Sequence, residues 1–583
     1  MNILGLVAET HDTGLALLED GVPVAILEEE RLNREKHTGA FPRLALQELF
    51  ADGGRSLSDI DVITIPWNMR RIRWTAARTL FGHLPASLSL LLQAAQPVQD
   101  RNIVYLKPLL RYRLKRQFWP RRLPPIIDVG HHESHAAMFF VSPFEDASVL
   151  VMDGYGDDAA TSTFTGAGNR LERRWHGRFF DSLGMIYTIL TRYLGFQIFE
   201  EGTVMALAAC GDITFVDRMR RVVRLEPEGR FSINMDYFSH DRYGMLKPVT
   251  PRFTQTFGPP RKPGEVLSDR HRDIARALQT VTEDIVLHLA RHVAATYPSR
   301  NLVLTGGVAL NCVANARILA DAAFRQVWVP PCASDTGAPL GSALWHHHET
   351  LRMPRTFEMT HAFYGSSFSP ASMRRALVRA GLSFEQLKES ELHRRVARDL
   401  ADGRIIGWFQ GRAEIGPRAL GNRSILASPL RRDVRDLMNS RIKYREPFRP
   451  FAPAVLAEHA GDFFELDQPD PFMTLAPRVR PDKVHLIPAA VHVDGTARVQ
   501  TVDRHANAAF YGVIDEFRRL TGVPVILNTS FNKQEPIVGR PEEAVSCFLR
   551  TAMDRLVLGN FYVSRRPNAS AGRAQTLLGV AAE

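Results

Sequence analysis

The sequence predicts an α/β fold with at least two domains, and three observations support this prediction. The chain has 583 residues, which is more than one ordinary hydrophobic core accommodates. Strand-like runs alternate with glycine turns and helical segments at residues 124–165 and again at 301–331. Between them, apolar residues recur at helical spacing from Asp273 to Val293, which indicates an amphipathic helix. Because the strand–turn–helix pattern occurs twice, we expect a duplicated lobe.

The N-terminal elements are predicted from turn chemistry. Residues 2–8 and 22–28 are expected to be paired strands joined at Glu19-Asp20-Gly21, because Asp-Gly between β-rich runs favours a hairpin. Residues 67–122 form an insertion that is apolar in its middle and basic at its end. Its run from Arg111 to Arg122 carries six cations and no acid. Such a run indicates a solvated loop, or contact with a membrane, RNA or an acidic partner.

A change of composition marks the domain boundary. Residues 350–370 contain proline, methionine and serine and interrupt the pattern, so the first domain is placed at 1–355. A second α/β domain is expected at 356–565, with a helix near 391–402 and strands RIIGWFQ, VPVILN and RLVLGNFYV. Residues 566–583 are small and polar and are predicted to be a flexible tail.

Composition restricts the class of protein. Four cysteines lie without CxxC spacing, which argues against a disulfide framework and a thiolate zinc site. The start of the chain lacks a basic leader, and no run of 18 apolar residues occurs, so a soluble, cytoplasmic protein is expected. The formal net charge is +10, which fits anionic small molecules, nucleic acid or a membrane surface.

Histidines and aspartates form the first candidate site. In GHHESHAA, His131 and His135 are four residues apart, and that spacing puts two imidazoles on one helix face. His132 also lies at helical spacing from His135, so two pairs fit. Asp153 ends a buried-looking strand and Asp335 lies in a glycine-rich turn. Two histidines and two carboxylates suit iron, manganese or zinc; the alternative is that they are ordinary helix residues and turn caps.

Two further features of the first domain could contact substrate. His11 precedes Asp12 in a turn after the first strand, and a histidine beside a carboxylate can act as a general base. Gly306 and Gly307 follow a strand and lead to Asn311, where backbone amides can cradle an anion. Alternatively, the histidine has no chemical role and the glycines serve tight packing.

An arginine-dense strip is the second candidate site. Residues 404–450 contain eleven Arg or Lys and four acids, interleaved with glycine, proline and phenylalanine. Folded arginines of this kind suit phosphate oxygens. The motif LNTSFN, residues 527–532, leaves a strand into a polar turn where ligand contacts are expected. A solvated basic face or an RNA-binding surface is the alternative.

These segments together resemble a known family. The motifs are THDTGLALLEDG, DVGHHESHAA, LVMDGYGDD, LTGGVALNCVANARI, GRAEIGPRALGNRSIL, HVDGTARVQTV and LNTSFNKQEPIV. In this order they resemble the NodU/CmcH carbamoyltransferases, whose members carbamoylate nodulation factors, cephamycin and tobramycin-type aminoglycosides. The resemblance covers both ends and most of the chain. It implies an actin-like (ASKHA, TsaD-like) N-terminal domain and a YrdC-like C-terminal α/β domain.

The resemblance also implies roles for individual residues. It implies an Fe²⁺ or other divalent metal site at His131, His135, Asp153 and Asp335. It places His11 beside the acceptor, and carbamoyl-adenylate formation at Arg418, Lys443, Arg449, Arg498, Asn528 and Ser530. Gly306, Gly307 and Asn311 are expected to bind nucleotide.

The function expected from this resemblance is ATP-dependent carbamoyl transfer. Carbamoyl phosphate and ATP with Mg²⁺ would form carbamoyl-adenylate, and a hydroxyl of a small-molecule acceptor, such as an antibiotic precursor, would receive the carbamoyl group. No nucleic-acid partner is expected, and a homodimer is one expected assembly. The alternatives are a tRNA threonylcarbamoylation-type enzyme and a basic RNA- or membrane-binding protein that is not an enzyme.

Overall fold

The chain is described by a computed structural model at residues 1–51, 54–92, 103–120, 122–262 and 264–565. It divides into two compact units, Met1–Met359 and Thr360–Glu583. The predicted tail, residues 566–583, lies outside the described residues. In the described ranges, no helix has both the length and the apolar character needed to cross a membrane.

Unit 1 is built from strands and helices of mixed length. Its strands are β1 Asn2–Val7, β2 Gly14–Glu19, β3 Val22–Glu28, β4 Val62–Ile65, β5 Ile126–Asp128, β6 Asp146–Met152, β7 Thr161–Ala167, β8 Arg170–His176, β9 Val223–Leu225, β10 Phe231–Ile233, β11 Asn301–Thr305 and β12 Gln326–Trp328. Its helices are α1 Glu30–Asn33, α2 Arg43–Ala51, α3 Met69–Gly82, α4 Leu106–Phe118, α5 His131–Ala136, α6 Leu183–Tyr193, α7 Glu201–Ala208, α8 Val216–Met219, α9 His240–Tyr243, α10 Pro251–Phe257, α11 Asp269–Thr296, α12 Cys312–Asp321 and α13 Ala338–Leu344.

The described part of unit 1 contains two five-stranded sheets with equivalent topology. Their strand orders are β3-β2-β1-β4-β5 and β8-β7-β6-β11-β12. In each sheet the first three strands in sequence are antiparallel neighbours, and the last two extend the sheet in parallel. The predicted α/β class is therefore confirmed. The two sheets have the same order and direction of strands.

The predicted N-terminal hairpin needs correction. The turn at Asp20-Gly21 joins β2 to β3, and β1 pairs with β2 rather than with β3. The strand Gly14–Glu19 was not predicted because almost every residue in it is buried, so it lacks the alternation that marks a half-buried strand. Gly21 itself has φ of +87°, as the tight turn requires.

Glycines allow α13 to pack closely between the first sheet and α5. A Cβ on Gly5 would lie 1.8 Å from the carbonyl oxygen of Pro339, and a Cβ on Gly341 would lie 1.9 Å from that of Ser134. The hydroxyls of Thr64 and Ser342 also form a buried hydrogen bond of 2.8 Å. Because α13 follows the turn that carries Asp335, this packing brings Asp335 towards the histidines of α5.

Unit 2 has a single described sheet covered by helices. Its strands are β13 Glu385–Gln386, β14 Ile406–Phe409, β15 Arg423–Ala427, β16 Ala452–Leu456, β17 Gln500–Val502, β18 Val525–Ser530, β19 Arg555–Leu558 and β20 Phe561–Ser564. Its helices are α14 Pro370–Arg379, α15 Glu389–Ala401, α16 Asp433–Met438, α17 Ala460–Phe463, α18 Ala508–Thr521 and α19 Pro541–Arg550. The described strands are ordered β13-β20-β19-β14-β15-β18-β16-β17, which is again a mixed sheet.

Candidate functional site

Four buried side chains of unit 1 converge on one point. His131, His135, Asp153 and Asp335 each offer a donor atom, and these atoms lie within 4.8 Å of one another. His131 Nε2 lies 3.1 Å from Asp153 Oδ2, 3.2 Å from His135 Nε2 and 3.4 Å from Asp335 Oδ1. Donors that share one ion at about 2.1 Å are spaced roughly 3–3.5 Å apart, so the cluster fits a single divalent metal.

The local fold orients each member of the cluster. His131 and His135 lie on α5, Asp153 directly follows β6, and Asp335 opens a 3-10 turn before α13. His131 Nδ1 lies 3.2 Å from the carbonyl oxygen of Pro66. Donation of Nδ1–H to that carbonyl leaves the Nε2 lone pair directed into the cluster, which is the usual arrangement for a ligating imidazole.

The structure also distinguishes between the two candidate histidine pairs. His132 Nδ1 lies 2.7 Å from the hydroxyl of Ser162, outside the cluster, whereas His131 and His135 meet edge to face at 4.7 Å between ring centroids. Burial is the main cause of a pKa of His132 well below its usual value, and the neighbouring His131 and His135 lower it further.

The histidines and carboxylates of the cluster shift one another's pKa values. Burial alone would lower the pKa of His131, but the charges of Asp335 and Asp153 and their hydrogen bonds raise it well above its usual value. Burial would raise the pKa of Asp335, but His131 and His11 hold it well below its usual value. A carboxylate that stays ionised in a buried site attracts cations, as a metal site requires.

His11 lies at the edge of this cluster. Its Nε2 lies 3.5 Å from Asp335 Oδ2, and its Nδ1 lies 3.0 Å from Asp12 Oδ2. The other Asp12 oxygen lies 2.7 Å from His37 Nδ1, and Phe199 stacks on His37 at 3.8 Å. Asp12, Glu30 and His37 form a second group whose donor atoms lie within 4.8 Å of one another. His37 and Phe199 were missed because their spacing from His11 in the sequence carries no local signal.

The predicted nucleotide-binding turn has protein partners. The amide of Gly307 donates to Asp153 Oδ1 at 2.8 Å, and the amide of Gly306 donates to the carbonyl of Ala333. Asn311 caps α12 by accepting from the amide of Ala314, and its Nδ2 donates to Gln279 at 2.9 Å. The turn therefore supports the His/Asp cluster, and a nucleotide-binding role for these three residues stays a prediction.

Lys443 forms the centre of a second constellation, in unit 2. Its side chain is 2% exposed, and its Nζ is surrounded by the carbonyl and hydroxyl oxygens of Ser530 and the carbonyl and amide oxygens of Asn532. A buried ammonium requires such compensation. Ser530 was predicted from sequence, whereas Asn532 was not assigned a role although it lies in the same LNTSFN motif.

Asn528 links the segments that carry two predicted arginines. Its Nδ2 donates to the carbonyl of Ala419 at 3.1 Å and to Gln500 Oε1 at 2.8 Å. Ala419 follows Arg418, and Gln500 lies two residues after Arg498. Asn528 is itself buried. Asn528 therefore holds these two segments together, and its role in carbamoyl-adenylate formation stays a prediction.

A buried carboxylate shapes the loop that carries Arg418. Oε1 of Glu414 accepts from the amides of Leu420, Asn422 and Arg423 at 2.6, 3.3 and 3.1 Å. Gly416 and Gly421, with φ of +83° and +107°, provide the left-handed turns that this loop requires. The signature GRAEIGPRALGNR is thus a compact loop.

The arginines of unit 2 have different environments. Arg423 is buried and packs over the ring of Phe409 at 3.6 Å, which is a structural role. Arg445 is different: burial, together with the nearby charges of Arg449 and Arg498, lowers its pKa to about 9. Three guanidinium groups so close that they repel one another favour a bound anion. Arg445 was not among the predicted site residues, although it lies in the predicted strip.

Comparison with protein families identifies the class of protein. The model described as "Carbamoyltransferase N-terminus" matches residues 2–344, and "Carbamoyltransferase C-terminus" matches residues 397–565. The chain therefore belongs to the carbamoyltransferase family and is a transferase of carbamoyl groups. The resemblance drawn from the sequence motifs is confirmed.

Individual relatives span nearly the whole chain. It is 39% identical to the uncharacterized protein sll1178 of Synechocystis, over 97% of each chain. It is 38% identical to the nodulation protein NolNO of Sinorhizobium fredii, over 95% of this chain and 79% of that protein. Among solved structures, HypF of T. kodakarensis has a TM-score of 0.29 at 13% identity, covering 60% of this chain and 48% of that chain, which is too low to assign a fold.

Proposed function

We propose that this carbamoyltransferase activates carbamate with ATP in unit 2 and transfers the carbamoyl group at the metal cluster of unit 1. The observation that carries the proposal is the environment of Lys443: a buried ammonium held by the LNTSFN turn, in the unit that also contains the Arg445–Arg449–Arg498 group. A site rich in fixed cations suits a nucleoside triphosphate and carbamoyl phosphate. The acidic, histidine-containing cluster of unit 1 suits a metal, so the two sites support two different steps.

In unit 2, the proposed reaction forms carbamoyl-adenylate. Hydrolysis of carbamoyl phosphate yields carbamate, whose oxygen attacks the α-phosphate of ATP and displaces pyrophosphate. Arg418, Arg449 and Arg498 would hold the phosphate oxygens, and Lys443, fixed by Ser530 and Asn532, would add positive charge that stabilises the negative charge developing there. Mg²⁺ accompanies ATP as the substrate complex. The product is a mixed anhydride in which AMP is a good leaving group.

In unit 1, the proposed reaction consumes the adenylate. His131, His135, Asp153 and Asp335 would hold Fe²⁺ or another divalent ion, which supplies Lewis acidity towards a carbamoyl oxygen. With Nδ1–H donated to Asp12, His11 presents the lone pair of Nε2 beside the cluster. From there it would accept the proton of an acceptor hydroxyl while AMP departs. We infer a small-molecule acceptor, as the family's natural-product members suggest.

We also propose the fold assignments that the resemblance implied. The repeated strand order of the two unit 1 sheets supports an actin-like, TsaD-like arrangement. The unit 2 sheet, with the Lys443 constellation at β18, is assigned as the YrdC-like adenylate-forming domain.

The test is exchange of labelled pyrophosphate into ATP, dependent on carbamoyl phosphate, with no acceptor present. We expect exchange by the wild-type chain and at least a hundredfold loss in Lys443→Ala. Lys388→Ala, which removes an exposed lysine of the same unit, is the matched control and should retain full exchange. Equal exchange by Lys443→Ala and the control, in folded protein, would contradict the proposed site.

A further inference from the structure

In its described residues, the insertion between β4 and β5 has two α-helices with exposed aromatic residues. On α3, Trp74 and Phe81 are both 71% exposed, and their spacing of seven residues places them on one face. On α4 and at its two ends, Tyr105, Tyr112 and Trp119 repeat at the same spacing, and Trp119 is 83% exposed. Solvent-exposed aromatic stripes on two helices of one insertion are unusual for a surface that contacts only water.

The two helices cover the same hydrophobic core. Met69 and Ile72 of α3 and Leu106, Leu110 and Leu114 of α4 belong to one buried cluster with residues of the first sheet. The exposed stripes lie on the opposite side of each helix from these buried residues. Both stripes therefore face away from a common core, so each helix carries aromatic residues on its outer side in addition to the apolar residues on its inner side.

Cations accompany the aromatic residues throughout. Residues 69–92 and 103–120 contain nine Lys or Arg and no Asp or Glu: Arg70, Arg71, Arg73, Arg78, Lys107, Arg111, Arg113, Lys115 and Arg116. Arg71, Lys107 and Arg113 pair with acids of the body of unit 1. Arg78 lies between Trp74 and Phe81, and Arg111 and Lys115 flank Tyr112, all three exposed. The outer face is thus both aromatic and cationic.

An uncharged aliphatic segment follows α3. Residues 84–92 read LPASLSLLL, and Leu84, Leu88, Leu91 and Leu92 are each at least half exposed. RNA-binding surfaces use aromatic stacking and cations. An exposed, uncharged leucine segment provides neither of these interactions. A lipid surface uses all three features: leucines enter the acyl boundary, Trp and Tyr occupy the interface, and cations meet anionic headgroups.

We propose that the surface formed by α3, residues 84–92 and α4 binds peripherally to membranes that contain anionic phospholipid. The insertion is anchored to the helix that carries the His/Asp cluster, because Trp67 stacks on His131 at 4.0 Å and Arg71 pairs with Glu133 of α5 at 2.6 Å. Membrane binding would therefore hold unit 1 at the lipid surface through the outer side of the insertion. The inference does not depend on how carbamate is activated.

The test is co-sedimentation of the full chain with vesicles. We expect binding to vesicles of equal parts phosphatidylcholine and phosphatidylglycerol, little binding to phosphatidylcholine alone, and weaker binding as NaCl is raised. Trp74→Ser with Phe81→Ser, and separately Arg111→Glu with Lys115→Glu, should each lower the partition coefficient at least about tenfold. The circular-dichroism spectrum and the thermal unfolding of both variants should match those of wild type, which shows that they are folded.

Matched controls lie elsewhere on unit 1. Ile213→Ser with Val266→Ser removes two apolar residues of similar exposure, and Arg221→Glu with Arg325→Glu reverses two exposed cations; neither should change lipid binding. Equal sedimentation with both vesicle types, or insertion variants that bind like wild type, would overturn the proposal. So would binding of bulk tRNA without a preference for anionic vesicles, or a dimer in lipid-free gel filtration that the serine variant dissociates.

Discussion

The backbone amide of Gly307 donates a hydrogen bond to Oδ1 of Asp153 at 2.8 Å, while Oδ2 of the same carboxylate lies 3.1 Å from His131 Nε2. The glycine turn after β11 thus occupies one oxygen of Asp153 and leaves the other for the cluster. Gly306, with φ of +86°, lies where a Cβ would be 2.2 Å from the carbonyl oxygen of Met152. This close approach requires glycine, because any larger residue would separate the turn from Asp153.

Asp153→Asn should separate the two functions of this carboxylate. An asparagine oxygen can still accept from Gly307, but the negative charge beside His131 is lost. We expect metal affinity to fall at least about tenfold, measured by metal content after dialysis and by direct titration. Asp146→Asn, at the exposed start of the same strand, should bind metal normally. Both variants should retain pyrophosphate exchange, and full metal occupancy in Asp153→Asn would remove this residue from the site.

Gly341→Ala should disturb the cluster from a distance. The added Cβ would lie 1.9 Å from the carbonyl oxygen of Ser134 on α5, so α5 and α13 must separate. We expect a loss of about 1–3 kcal/mol in unfolding free energy, together with weaker metal binding because α5 carries both histidines. Gly202→Ala, where nothing lies within 4 Å of the new Cβ, should be neutral or slightly stabilising. Unchanged melting and metal content in Gly341→Ala would contradict the packing described for α13.

Pyrophosphate should stabilise unit 2 against thermal unfolding. Burial and the repulsion from Arg449 and Arg498 lower the pKa of Arg445 to about 9, and a bound anion would relieve that repulsion. At a hundredfold excess over its dissociation constant, the ligand should add about 2.7 kcal/mol, measured by scanning calorimetry. Arg498→Ala should reduce this gain, whereas Arg379→Ala, an exposed arginine on α14, should not. The same gain in both variants would mean that the anion binds elsewhere.

Mild acid should destabilise unit 1 through its three consecutive histidines. Burial lowers the pKa values of His346 and His347, and it lowers that of His348 from 6.5 to about 4. Below pH 6.5 the unfolded chain takes up protons that folded His348 cannot, so stability should fall as the pH drops from 6.5 to about 4.

The measurement is urea unfolding across that pH range. His348→Asn keeps a donor for the carbonyl of Met353, which the imidazole contacts at 3.0 Å, and it should flatten the pH dependence by about 1–3 kcal/mol. His176→Asn, on the exposed edge of β8, should leave the dependence as in wild type. A parallel loss of stability in wild type and His348→Asn would assign the acid sensitivity to other groups.

The sequence by itself determined the α/β class and the family, because these depend on local signals. Four-residue spacing on a helix indicated His131 and His135 but left His132 open, and a polar residue directly after a buried strand indicated Asp153. The arginine strip and LNTSFN indicated a second candidate site, in which the family resemblance placed Lys443 and Ser530. In each case a short segment carries both the residue type and the backbone geometry that make the prediction.

Only the tertiary structure decided which of these residues meet. It placed His131 in the cluster and His132 outside it, because the ring of His132 hydrogen-bonds to Ser162. It also brought His37 to Asp12 and Asn532 to Lys443. The amide of Gly307 binds Asp153, and α13 packs against α5 at Gly341. The physical reason is that spacing along the chain sets the direction of side chains within one element. Convergence of segments hundreds of residues apart depends instead on close packing, and local periodicity does not encode it.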